Sequence, residues 1–103
     1  MLQGVYLVNH AGETQAAITP GEFSVDEVLF GGFLSAIQMY IQQMSGTELE
    51  EITVDKFRMV MSKTKNLFVV SVHDKDDKDA PKINKRILSV LDDGMGPRRT
   101  ASV

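Results

Sequence analysis

The chain has no cysteine. That excludes a disulfide framework and thiolate metal sites, and it suits a reducing, cytoplasmic setting. No apolar stretch reaches the ~18 residues that suggest a membrane span. The opening MLQGVYLVNH lacks the basic region, apolar run and small-residue cleavage site of a signal peptide. An excess of basic charge is also missing: the net charge is −3, with acidic and basic residues interleaved, which argues against a nucleic-acid binder. There is no internal repeat. No glycine-rich loop precedes a lysine in the phosphate-binding pattern, and no Ser/His/Asp set stands in a recognisable context. Neither an enzyme nor a cofactor is expected.

What is present is enough for one domain of 103 residues, 43% of them hydrophobic and 24% charged. Residues 1–93 are read as that domain. GMGPRRTASV (94–103) differs in composition and is read as a flexible tail. Gly4–Asn9 alternates Val5 and Leu7 with Tyr6 and Val8, so a strand there is apolar on both faces and central. NHAGE is a turn, with Gly12 free to take a positive φ. TQAAIT is a weaker strand, stopped by Pro20-Gly21. The segment 23–44 has a helical period. Ser24 and Glu27 fit a capping box, Phe23 and Val28 a hydrophobic staple, and Gly46 a C-terminal stop.

Three strands follow: Leu49–Val54, glutamate-bearing and edge-like, then Phe57–Ser62, then the doubly apolar Leu67–His73. A last helix spans about Pro81–Asp92, with Ile83, Ile87, Val90 and Leu91 as its stripe and Gly94 as its stop. The order ββαβββα, with the two doubly apolar strands at the centre, predicts an α+β domain. Its five-stranded, mainly antiparallel sheet has the order 2-1-5-4-3, with the long helix on one face and the short C-terminal helix on the other.

Candidate sites are few. DKDDKD (74–79) departs from the calcium-loop pattern at Lys78 and Asp79, so it reads as a solvated, charge-balanced loop. His10 and His73 end strands one and five, which places them at opposite ends of the sheet; both read as surface histidines, and no metal site is expected. Met39, Met44, Met59 and Met61 read as core filling.

The long helix carries the most information. At 100° per residue, Glu27, Gly31, Ser35, Gln38 and Gln42 gather on a narrow polar arc, and apolar residues cover roughly 240°. One sheet needs a stripe only somewhat wider than 100°. Gly32 is expected to face the sheet and permit close approach. Phe30, Leu34, Ile37 and Ile41 occupy the other flank, covered either by loops and sheet ends or by a binding partner.

LQGVYLVNHAGE, FGGFLSAI and KFRMVMSKTKNLFVVSVHDKDD, followed by a short final helix, resemble the longin and roadblock superfamily, and most closely its small archaeal proteins, over roughly residues 1–92. The resemblance implies a profilin-like sheet. It also implies a non-catalytic scaffold that forms homodimers or heterodimers and docks a small Ras-like GTPase or a trafficking-type complex. The lack of a helix before the first strand favours the longin order, whereas the single short final helix departs from it. The alternative reading is a ligand-sensing domain of the same sheet order, with a small apolar cavity between helix and sheet.

Overall fold

Five strands of alternating or doubly apolar pattern can bury both faces only by joining one sheet with a helix on each side. The computed structural model has that arrangement. It describes residues 1–21, 23–47 and 50–95, with the side chains of all of these but 92–95. The elements are β1 (Leu2–Asn9), β2 (Thr14–Ile18), α1 (Glu27–Ser45), β3 (Glu51–Val54), β4 (Phe57–Lys63), β5 (Leu67–Asp74) and α2 (Ala80–Met95). The sheet order is β2-β1-β5-β4-β3 and every neighbouring pair is antiparallel, as the pattern predicts.

The register divides the sheet into two faces. One row runs Ala17, Tyr6, Val70, Met61, and the next Gly4, Val72, Met59, Ile52. These rows face α1, and with Val8, Phe23, Phe30 and Leu34 they form the main core. Phe23 is its hub, with ring centroids 5.9 Å from Tyr6, 5.7 Å from Phe30 and 5.0 Å from Phe57. The opposite rows run Ile18, Val5, Ser71, Val60 and Ala16, Leu7, Val69, Ser62. α2 lies over the β4–β5 part of this face.

The ends of the elements correct several expectations. The N-cap of α1 is Asp26, not Ser24: its carboxylate accepts from the backbone N–H groups of Val28 (2.9 Å) and Leu29 (3.1 Å). The staple fails as well, because Phe23 turns into the aromatic core while Val28 is 79% exposed. Gly46 does close the helix in the left-handed conformation (φ 71°), its N–H donating to the Gln42 carbonyl at 2.8 Å. Gly12 has the positive φ expected of it (87°). α2 runs past Gly94 to Met95, so that glycine does not stop it. Residue 49, the expected start of β3, and residues 96–103 of the proposed tail lie outside the described residues.

Candidate functional site: the outer face of the long helix

Which side of α1 meets the sheet decides what the helix can offer a partner. The inward sector is Phe30, Gly31, Leu34 and Gln38. Phe30 is 7% and Leu34 1% exposed, so the flank that either internal packing or a partner could cover fills this chain's own core, with Ile37 and Ile41 half-buried beside it. Each buried apolar side chain contributes about 1.5–3 kcal/mol.

The two glycines exchange their expected roles. A Cβ on Gly31 would collide with the Gly12 carbonyl oxygen and crowd the Thr14 hydroxyl, whereas a Cβ on Gly32 would meet nothing within 4 Å. Thr14 Oγ1 donates to the Glu27 carbonyl at 2.8 Å, which fixes the start of α1 against the β1–β2 turn. The supposed polar arc can therefore turn inward. Beyond Glu27 it carries no charge, and buried Gln38 donates to Met61 Sδ at 3.7 Å. That lack of charge permits the inward turn without selecting it.

The opposite sector, centred on Gly32 and Ala36, faces outward. Val28 and Leu29 (73% exposed) stand on it, with Phe33, Met39, Tyr40 and Met44, all exposed. Met39 and Met44 are thus surface residues, while Met59 and Met61 are core as expected. Residues 28–47 contain no Asp, Glu, Lys or Arg. Gln43 is the polar residue within the outer sector. The helix has 19 residues and so presents an uncharged, largely apolar strip about 28 Å long. Contiguous exposed apolar surface is uncommon on a soluble monomer.

A second cluster has the residue types of a hydrolase triad. His73 Nε2 lies 2.7 Å from Ser71 Oγ, and His73 Nδ1 lies 3.2 Å from Asp77 Oδ2. The charged acceptor fixes the tautomer: Nδ1–H donates to Asp77, and Nε2 accepts the Ser71 hydroxyl. Asn84 Nδ2 donates to Ser71 Oγ (2.8 Å), the Val60 carbonyl (2.9 Å) and the Val69 carbonyl (3.3 Å), and the Ser62 hydroxyl donates to Asn84 Oδ1. Ser71, His73 and Asn84 have no exposed surface, so this serine has no path to a substrate. The cluster pins α2 onto the sheet.

His73 is accordingly not a surface histidine. Burial pushes its pKa below the ordinary value, against the opposing pull of Asp77. The Asp77 carboxyl is itself raised by burial, but hydrogen bonds from the chain's amino group and from the Asp79 N–H outweigh this and hold it low. His10 is exposed and lies 4.8 Å from the Phe68 ring, at the far end of the sheet from His73. The loop 74–79 is tied in more than expected: Asp77 takes the amino group of Met1 at 3.0 Å, and Asp74 accepts from Gln3 at 2.8 Å. Among the described residues, no three His, Cys, Asp or Glu side chains are grouped to hold a metal ion.

The aromatic core lies beneath α1. Concave apolar surface lies on the other face, between α2 and the β1–β2 strands. No known family and no curated protein matches the chain in sequence. Among solved structures it is similar to Myxococcus xanthus MglB, with a TM-score of 0.58 and 14% identity, over 82% of this chain and 75% of that one. The likeness is one of fold: a five-stranded sheet of order β2-β1-β5-β4-β3 with two helices. No helix among the described residues is long and apolar enough to cross a membrane.

Proposed function

We propose that the protein is a non-catalytic scaffold that dimerises through the outer face of α1 and docks a small Ras-like GTPase or a related trafficking-type complex. The observation that carries this reading is Gly32. Within one chain nothing approaches it, yet a glycine inside a helix costs about 0.8–1.0 kcal/mol relative to alanine. Its place at the centre of the uncharged strip, four residues before Ala36, suits a second helix crossing close to the backbone. Depletion of charge with enrichment in aromatic residues and methionine is the composition of an interface core. A membrane-surface helix would carry lysine or arginine beside its apolar strip, and this one carries neither. The occupant is a second copy of the chain, with the β3 edge as a further contact. The GTPase partner rests on the fold and on the sequence resemblance.

Sedimentation velocity tests the dimer. Self-association at micromolar concentration is expected, and a monomer at high micromolar concentration would refute it. Leu29→Asp and Phe33→Asp should stay folded and sediment as monomers. Surface plasmon resonance with Ras-like GTPases loaded with GDP or a GTP analogue tests the docking; absence of saturable binding in both states would remove that part.

A further inference from the structure

The α2 face of the sheet is only half covered. Asn84 and Ala80, both with no exposed surface, hold the N-terminal half of α2 over β4 and β5. The apolar rows continue past the helix as Val5 and Leu7 on β1 and Ala16 and Ile18 on β2. Together with the near side of α2 they bound an apolar groove of about 440 Å³. Its two walls stand open: Ile18 is 68% and Val90 64% exposed.

Two uncovered strands span about 10 Å at 4.8 Å spacing, the diameter of one α-helix. A helix laid there would sit 8–10 Å from α2, the normal packing distance. The floor is made of short aliphatic side chains, and no polar side chain stands in it to orient a small polar ligand. The rim is charged on one side only. Arg86 borders the groove, Lys82 lies one turn before it on the same side of α2, and the β2 wall carries no charge.

We infer that this groove receives an amphipathic helix from another protein, packed beside α2, with its apolar stripe on Val5, Leu7, Ala16 and Ile18 and an acidic flank facing Arg86 and Lys82. The charge pattern disfavours a second copy of this chain as the occupant. α2 itself brings Lys82, Lys85 and Arg86 against the same basic rim, its two acids, Asp92 and Asp93, being confined to its C-terminal end, and α1 carries a single acid, Glu27. The site is separate from the outer face of α1, since the sheet stands between them, so the two surfaces can be engaged together.

The test uses the full chain and two synthetic helical peptides that share one leucine stripe, flanked by glutamate in one and lysine in the other, with palmitate as a third probe. Methyl NMR should show saturable shifts at Val5, Leu7, Ile18 and Val90 with the acidic peptide and at least tenfold weaker binding of the basic one. Ile18→Asp should abolish binding, and Arg86→Glu should reverse the charge preference. Both positions are exposed, so the variants should keep the parent circular dichroism. Binding must persist in the Leu29→Asp chain, which separates this inference from the dimer. Lack of saturable binding, equal affinity for both peptides, shifts confined to α1, or palmitate filling the groove and displacing the peptide would each overturn it.

Discussion

The two faces of the sheet are covered by opposite means. Under α1 the sheet is sealed by aromatic and aliphatic packing, and the side of the helix turned to solvent is apolar. Under α2 the contact is anchored by one buried asparagine and a buried histidine, and the uncovered apolar surface is on the sheet itself. One face therefore presents a convex apolar helix, and the other a concave groove. Apolar residues alone do not show which kind of surface a region will offer. That depends on whether the helix or the sheet supplies the excess.

Substitutions on the two sides of α1 give the sharpest contrast. Leu34→Asp places a carboxylate without a partner in the core and should cost more than about 4 kcal/mol, leaving little folded protein by circular dichroism. Leu29→Asp, five residues earlier on the outer side, should change monomer stability by no more than about 0.5 kcal/mol in urea titration. If both variants unfold, α1 is rotated from the orientation described here.

The glycines make the same comparison with less force. Gly31→Ala drives a methyl group into the Gly12 carbonyl and should cost ~1–3 kcal/mol through overpacking. On the other face, Asn84→Ala leaves Ser71 and two carbonyls short of a donor and should cost a similar ~1–3 kcal/mol. Chemical denaturation measures both. A neutral Asn84→Ala would mean that packing, not the polar pin, holds α2.

Acid should weaken the α2 face selectively. His73 has a folded pKa below its ordinary 6.5, chiefly because it is buried, with Arg58 and the amino terminus opposing its charge and Asp77 favouring it. As pH falls, the unfolded chain takes up this proton first. The stability it contributes is thus complete above pH 6.5 and is lost below that value, with a slope of at most about 1.4 kcal/mol per pH unit. Asp77 acts lower, below its ordinary 3.8. Urea titrations between pH 7.5 and 5 should show the His73 slope, and a His73→Gln variant should flatten it. The smallest effect is a gain: Gly32→Ala should stabilise the isolated monomer by about 0.8–1.0 kcal/mol while weakening the dimer. Stabilisation without loss of self-association would remove Gly32 from the interface.

Much of this molecule can be read in its sequence. The doubly apolar segments Gly4–Asn9 and Leu67–His73 had to be central strands, because a strand with two apolar faces is stable only when both are covered. That requirement, with the connection lengths, leads to the order 2-1-5-4-3. Gly12 and Gly46 were legible as positive-φ positions because local backbone geometry alone demands them.

The rotation of α1 was not legible. A helix that is apolar over most of its circumference, with a polar arc of Gly, Ser and Gln, has no charge beyond Glu27 to fix which side stays in water. Asp26 took the cap from Ser24, Gly31 took the close approach from Gly32, and Phe30 and Leu34 turned inward for reasons that exist only in three dimensions. These are the Gly12 carbonyl and Thr14 hydroxyl that α1 must approach, and the aromatic hub at Phe23. Likewise, nothing local marks His73 as buried. Its place between Ser71 and Asp77 depends on α2 lying across β5, a contact between segments distant in sequence. Sequence alone determined the sheet, because strand periodicity is a local property; which apolar surfaces stay exposed was decided by the tertiary packing of α1 and α2.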